Sequence, residues 1–476
     1  MTQLRTPLYD ALKKHYQRRP ISLHVPGHKN GLLIQSNLFF QHVTDIDVTE
    51  LTNLDDLHSS SGVILEAETL LAELYEVEKS FFLVNGSTVG NLAMILGTIQ
   101  PGETVFIQRN CHKSILNGVQ LAKANPILLG PTYNAEWGVA EGVPLETVKE
   151  AFQQYPQCKA IILTYPNYYG MVNDLQGICK FAHSHGIPVL VDEAHGAHFI
   201  GGDYFPPSAV RLGADVIVQS AHKTLPAMTM GSFLHVNSKI ISHKIIEHYL
   251  KILQSSSPSY PIMASLDIAR SYLATYTKED QLHLMYIIED FKRKLNQIDG
   301  IKVLEYRNGL GDPLKVTIQS TNQATGYELQ QLFEEEDIFS ELADPYNVLF
   351  VLPLLKNGME YPFERILNGI RKAVGKSLKE GKSKRTNYFQ KERISTLQTC
   401  HRTQKERTIP LSEAAGYLCA ETIIPYPPGV PLLLRGERIT DEDLKGLRFL
   451  LETGARFQGG EAILENKIKI IDENDC

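Results

Sequence analysis

Residues Val191–Phe199 read VDEAHGAHF, an Asp, a Glu and two His within one short segment. Three readings compete for it. The letters D-E-A-H match the acidic box of a nucleotide-driven helicase. The same four side chains offer metal ligands. Alternatively, a buried strand ends here and aims one carboxylate at a bound group. Each reading makes its own demands on the rest of the chain.

A helicase needs a phosphate-cradling G-x-x-x-x-G-K-[ST] loop after a strand. The nearest match is GIRKAVGKS at Gly369–Ser377, with one residue too many between its glycines and no strand-like run before it. A metal site needs its ligands on one side. Asp192 and Glu193 are neighbours, and neighbouring strand residues point to opposite faces. No second His/Cys cluster and no H-E-x-x-H completes a ligand set, so no metal is expected. The six cysteines, Cys111, Cys158, Cys179, Cys400, Cys419 and Cys476, form no C-x-x-C pair. Scattered thiols fit a reducing, cytoplasmic setting.

The strand-end reading draws support from the pattern around it. Seven short apolar runs recur with helix-like segments between them: Ser80–Val84, Thr104–Gln108, Pro126–Leu129, Ala160–Tyr165, Ile187–Asp192, Asp215–Gln219 and Ser232–Val236. That alternation predicts an α/β fold, a mainly parallel central sheet covered by helices. The near-continuous hydrophobicity of each run predicts burial on both faces. Ligands of such sheets sit beyond the carboxyl ends of the strands. The rule brings Asn85–Thr88, Asp192–His195 and Ser220–Lys223 into one crevice. From about Ile301 the order becomes less regular, which predicts a smaller α+β domain.

A chain of 476 residues is long enough for two or three domains. Its net charge of -7 argues against a globally basic nucleic-acid binder. The stretch Arg371–Arg407 is locally basic, but no aromatic interleaving accompanies it, and a solvated helix and connector is the simpler reading. The N-terminus has no apolar core of signal-peptide length. The strongly apolar run Val348–Leu355 is far too short to span a bilayer, so no membrane segment is expected.

The segment Asp215–Met230, DVIVQSAHKTLPAMTM, sharpens the chemistry. Lys223 follows a buried strand, where an unpaired lysine is out of place in a core. A partly desolvated amine there attacks an aldehyde to form a Schiff base, and pyridoxal phosphate is the common cofactor held that way. The cofactor's ring nitrogen needs a carboxylate to stay protonated; Asp192 supplies one. Its phosphate needs hydroxyls and a helix start; Gly86, Ser87 and Thr88 open one, and Ser220 and His222 flank the lysine. His112 follows another strand and suits stacking on the ring. Singly, each has a blander reading: Ser87 and Thr88 as helix caps, Asp192 as a cap, and His112 as a satisfied surface histidine. Their conjunction carries the inference.

These residues, together with HVPGHKNG (His24–Gly31), LDDLH (Leu54–His58), VNGSTVGN (Val84–Asn91), RNCHKS (Arg109–Ser114), SSSPSYPIMASLD (Ser255–Asp267) and IPYPPGVPLL (Ile424–Leu433), resemble the bacterial ornithine/lysine/arginine decarboxylases. These are fold type I pyridoxal-phosphate enzymes, and the length resembles their short, Bacillus-type arginine decarboxylase branch. The resemblance implies an N-terminal segment with a large cofactor-binding domain over 1–300. A small α+β domain over 301–385 and a C-terminal domain over 386–476 would follow. It implies that Lys223 carries the cofactor, Asp192 pairs with the ring nitrogen and Ala194 packs under the ring. His112 would stack above it, His195 would orient the carboxylate, and Ser87, Thr88, Ser220 and His222 would hold the phosphate. It also implies a homodimer or higher homo-oligomer with a shared active site, in which Ser255–Ser257 lies near the partner's phosphate. Two positions depart from the family: Asn167 stands where a threonine is usual, and Arg435 where a proline is usual.

The expected activity is α-decarboxylation of arginine, lysine or ornithine, giving a polyamine or its precursor and CO₂. Another fold type I reaction, transamination or a lyase step, uses the same lysine and carboxylate and stays open. So does a non-catalytic binding module built on the same fold. A cationic side chain calls for a carboxylate at its far end; Asp55, Asp56, Glu341, Asp344, Glu421 and Glu437 are the candidates.

Overall fold

The computed structural model describes residues 3–18, 41–322, 324–376, 393–397, 405–426 and 429–472. His24–Gly31, the larger part of Arg371–Arg407, Cys400, Cys476, and Pro427 and Pro428 of the IPYPPGVPLL segment lie outside the described residues.

Each of the seven apolar runs forms a strand: β1 (Lys79–Leu83), β2 (Thr104–Gln108), β3 (Asn125–Leu129), β4 (Ala160–Thr164), β5 (Val189–Asp192), β6 (Val216–Gln219) and β7 (Ser232–Val236). Later come β8 (Ile301–Val303), β9 (Lys315–Ser320), β10 (Leu342–Ala343), β11 (Asn347–Val351), β12 (Ile394–Thr396), β13 (Glu406–Pro410), β14 (Leu418–Cys419) and β15 (Lys467–Ile471). The chain forms two compact units, Met1–Gln100 with Cys179–Gln281 and Pro101–Ile178 with Leu282–Cys476.

In the first unit the strand order is β1-β7-β6-β5. β5 and β6 run parallel, with Leu190 opposite Val216, and every residue of both is buried. β7 turns back antiparallel on β6, and β1 pairs antiparallel with β7. The segment between β6 and β7, which carries the helical turn Ala221–Thr224, brings the chain back in the opposite direction. The helix Gly86–Thr98 is apolar almost all round, as a buried helix must be. Gly90 lets it press onto the sheet: a Cβ there would stand 2.7 Å from Leu83 Cδ1 and 2.9 Å from Val218 Cγ1. On the helix Tyr260–Ala274, Asp267 and Arg270 form a fully buried ion pair. Their remaining bonds go to the N-terminal segment: Leu8 N donates to Asp267 Oδ2 at 3.1 Å, and Arg270 Nη1 donates to Gln3 O at 2.8 Å and to Gln3 Oε1 at 3.0 Å. Satisfied in this way, the buried charges fasten the N-terminal helix Pro7–Gln17.

In the second unit β4, β2 and β3 are parallel and β12 lies antiparallel on the edge at β3. The segment after Ile301 builds an antiparallel sheet in the order β8-β9-β11-β10, against which the helix Gly326–Glu334 packs. Residues Gly369–Lys376 sit inside the helix Phe363–Lys376, not in a phosphate loop. The C-terminal part pairs β13-β15-β14 and adds the helix Asp441–Glu452. Thr440 and Asp443 close a reciprocal capping box at that helix's start. Among the described residues, no helix is long and apolar enough to cross a membrane.

Candidate active site

The four polar residues of VDEAHGAHF part company where β5 ends. Asp192, 3% exposed, accepts from Asn91 Nδ2 at 2.9 Å and from Ala194 N at 3.1 Å. Glu193 turns to the opposite side. It accepts from Ala209 N at 2.7 Å, Ser208 Oγ at 2.8 Å and Gln219 Nε2 at 2.6 Å. Burial pushes its carboxyl up to about 8, against the pull of those three donors. His195 Nε2 lies 3.1 Å from Lys223 Nζ. His198 is buried edge-on between Phe199 and Phe205, each ring centroid 4.9 Å away. Gly196 is required between them, because a Cβ would stand 2.6 Å from Glu193 Cγ. Among the described residues, no group of three or more His, Cys, Asp or Glu is arranged to hold a metal ion.

At the end of β1, Gly86 takes a φ of +74°, which only glycine adopts freely, and its N–H donates to Met230 O at 3.0 Å. The helix Gly86–Thr98 begins at this turn. Ser87 Oγ, in its first turn, lies 2.7 Å from Ser220 Oγ at the end of β6. Thr88 is exposed beside it. Ser220 opens the turn Ala221–Thr224, which carries His222 and Lys223. The His222 Nδ1–H donates to Gly231 O at 2.9 Å, tying this turn to the loop ahead of β7. Ala194 is buried between Asp192 and His195.

The first unit therefore gathers Gly86, Ser87, Ser220, His222, Lys223, Asp192, Ala194 and His195, as the strand-end rule expects. The arrangement fits pyridoxal phosphate. It offers an amine, a buried carboxylate with a fixed orientation, and two hydroxyls at the start of a long helix whose first N–H groups favour an anion. Sequence reading missed Asn91. It is the one amide in the helix Gly86–Thr98, four residues after Ser87, and it is buried at 1% exposure, which no local pattern of the sequence announces.

His112 belongs to the second unit. It caps the helix Lys113–Leu121, accepting from Ser114 N at 3.2 Å, with Ser114 Oγ 2.8 Å from Nδ1. Arg109, three residues earlier, is buried and donates to both Glu437 oxygens and to the carbonyls of Pro431 and Leu432. Asn167 is structural: Oδ1 accepts from Tyr169 N and Met171 N, and Nδ2 donates to Ala140 O. Arg435 pairs with Glu406.

Most candidate carboxylates have other work. Asp55 gathers the N–H groups of Ser61, Gly62, Ile64 and Leu65 at the start of the helix Val63–Tyr75. Asp56 caps a single turn at His58. Glu421 accepts from Gly460 N, and Glu437 pairs with Arg109. Glu341 is exposed. Asp344 is buried and lines a cavity in the second unit.

The sequence matches the Orn/Lys/Arg decarboxylase major domain over residues 6–310 and the C-terminal domain of the same family over residues 384–465. It is 46% identical to the uncharacterized protein YaaO of Bacillus subtilis, covering 99% of this chain and 100% of that one. It is 32% identical to an arginine decarboxylase of Bacillus subtilis, covering 99% of each. The fold is similar to the crystal structure of the Francisella novicida lysine decarboxylase LdcF, with a TM-score of 0.79 at 21% identity. That similarity covers 98% of this chain and 81% of that one.

Proposed function

The chain belongs to the Orn/Lys/Arg decarboxylase family, and from that premise we propose that it removes the α-carboxyl group of a basic amino acid, arginine foremost, using pyridoxal phosphate. The full-length relationship to an arginine decarboxylase favours arginine over lysine and ornithine. The products are then agmatine and CO₂. Bound pyridoxal phosphate supplies an electron sink for the breaking C–C bond.

The chain's own residues prepare that step. Lys223 offers the amine that carries the cofactor, and His195, 3.1 Å away, sets the amine's position and exchanges a proton with it. Asp192 holds the proton on the ring nitrogen, and Asn91 fixes the carboxylate's direction. Gly86, Ser87, Thr88, Ser220 and His222 bind the phosphate at the helix start, and Ala194 leaves room for a flat ring. His112 would stack on the ring. Lys223 or His112 returns a proton to Cα after CO₂ departs. The enzyme acts in the cytoplasm as a homodimer, with Ser255–Ser257 completing the partner's phosphate site.

The observation that carries this reading is the pairing of Lys223 with His195, beyond the ends of β6 and β5, while Asp192 stays clamped by Asn91 of the helix Gly86–Thr98. The test is to purify the protein with cofactor and record its visible absorbance. Arginine, lysine and ornithine are then supplied separately, and CO₂ and amine are measured. We expect CO₂ from arginine above the other two, and loss of both the cofactor band and CO₂ in Lys223→Ala. Keto acid in place of CO₂ would make the enzyme an aminotransferase. No cofactor band in folded protein would end the proposal.

A further inference from the structure

In the first unit β1 is the outermost strand, paired on one side only, with β7. Alternate residues of a strand turn their N–H groups to the same side. Those of Phe82 and Val84 face away from β7 and take their partners from outside the sheet. Two side chains supply them. Glu68 Oε1, on the helix Val63–Tyr75, accepts from Phe82 N at 3.0 Å. Gln254 ends the helix His243–Leu253 and is 7% exposed. Its Oε1 accepts from Val84 N at 2.8 Å, and its Nε2 donates to Phe82 O at 3.4 Å. One amide side chain thus bonds the edge as a neighbouring backbone would, immediately before the turn Asn85–Ser87.

The next residue, Ser255, acts on the turn itself. Its N–H donates to Asn85 Oδ1 at 3.4 Å. Asn85 is the N-cap of the helix Gly86–Thr98, where an asparagine ordinarily accepts from the second or third helical N–H. Here its side chain makes no cap bond. Turned toward Ser255, it leaves the start of the helix open to an anion in its place. Ser255 is itself held, because His58 Nε2–H donates to Ser255 O at 2.8 Å. On the turn's other flank Gly86 N donates to Met230 O at 3.0 Å. The chain is therefore fastened at Val84, Asn85 and Gly86 in succession, and two of these three bonds come from Gln254 and Ser255.

We propose that Gln254 is a positioning residue for the cofactor phosphate: it closes the free edge of β1 and, through Ser255, keeps the Asn85 side chain off the helix start that receives the phosphate. The inference rests on the reading that pyridoxal phosphate binds at this turn, and it adds the device that holds the turn open. Losing the Gln254 amide strands the Val84 N–H and loosens Ser255. Asn85 then returns to the helix as an ordinary cap and competes with the phosphate for the same N–H groups.

The test titrates the full chain, freed of cofactor, with pyridoxal phosphate and with pyridoxal, which lacks the phosphate. Gln254→Met keeps the length of the side chain and removes the amide. Its affinity for pyridoxal phosphate is expected to fall about tenfold, the scale of one hydrogen bond, while its affinity for pyridoxal stays nearly the same. Glu68→Leu deletes the same kind of bond from the same edge, two residues further from the turn. It should lower the melting temperature and leave the ratio of the two affinities unchanged. In the unmutated protein, hydrogen exchange at the Val84 N–H should slow with pyridoxal phosphate and not with pyridoxal, and this reading decides alone if Gln254→Met does not fold. A ratio unchanged in Gln254→Met, a ratio lowered equally in both variants, or equal slowing of exchange by both ligands overturns the positioning role. CO₂ release by the unmutated protein then leaves the decarboxylase reading intact. A ratio lowered in Gln254→Met alone, in a protein that releases no CO₂, supports the positioning role and overturns that reading. Binding of neither ligand by folded protein overturns both.

Discussion

Asp192 and Glu193 are adjacent in the chain, yet they meet opposite environments. Asp192 stands on the side of β5 that faces the helix Gly86–Thr98, held by one amide and one backbone N–H. Each of its oxygens keeps acceptor capacity for another donor. Glu193 points the other way and is enclosed by Ser208, Ala209 and Gln219. The chain of contacts continues from Gln219 Oε1 to His235 Nε2 at 3.1 Å, and from His235 Nδ1 to Ser80 Oγ at 2.8 Å. Burial brings His235 down to about 3, so the ring is neutral and each nitrogen serves one hydrogen bond. One carboxylate is oriented and left open; its neighbour is closed into a polar seam across four strands. A pair of acids is therefore best assigned by what remains unsatisfied around each one, not by its letters.

The largest expected effect tests the open member. Asp192→Asn keeps the shape but removes the charge that holds the proton on the ring nitrogen. We expect a loss in kcat on the order of 10³-fold, the scale of a preorganised electrostatic contact, with the fold and melting temperature nearly unchanged. Glu193→Gln should show the reverse division, a modest change in kcat. Equal activity losses in the two variants would erase the distinction drawn between them.

Glu193 has a signature of its own in the pH dependence of stability. In the folded protein its carboxyl is raised to about 8, against roughly 4.3 when unfolded. Between those values the folded state keeps a proton that the unfolded state has released. The unfolded state thus binds fewer protons, and stability falls as pH rises through that window. The Ser208 hydroxyl can reverse to accept from the protonated acid. Glu193→Gln should flatten the melting temperature against pH from roughly pH 4.3 to about pH 8. Glu193→Ala, by contrast, strands three donors at about 1–3 kcal/mol each and should lower stability at every pH. A wild-type curve that rises with pH over this window would show that the three donors outweigh burial.

Legibility in the sequence followed the physics of each feature. The strands were readable because burial on both faces demands continuous apolar runs, and the seven runs form β1 to β7 within two residues at either end. Lys223 and Asp192 were readable because a charge at the end of such a run contradicts its surroundings. The division of labour between Asp192 and Glu193 followed from strand alternation alone. Asn91 was not readable, because its partner lies on another strand and no local pattern distinguishes a buried amide from a tolerated one. The fates of Asp55 and Glu437 were equally hidden. Their partners are backbone donors gathered by a turn in the one case, and a distant arginine in the other. The antiparallel return of β7 also escaped, because strand direction is set by the loop's path and leaves no mark on composition.

The smallest predicted effect concerns the support beneath Asp192. Asn91 contributes one hydrogen bond to a charged acceptor, and Ala194 N contributes the other. Asn91→Ala removes the first and leaves the second, so Asp192 keeps its charge but gains rotational freedom. A hydrogen bond to a charged group is worth about 1.5–3 kcal/mol, and part of that is recovered by water entering the space left behind. Cofactor affinity and kcat should each fall about tenfold, less than for Asp192→Asn and with no change in stability across the Glu193 pH window. Asn91→Asp separates direction from charge: it places a second carboxylate against the first, and like charges at that distance raise the pKa of one of them. Cofactor binding in that variant should depend more steeply on pH than in the wild type. If Asn91→Ala instead matched Asp192→Asn, orientation rather than charge would be the main contribution of this side of β5, and the contrast with Glu193 would have to be redrawn in those terms.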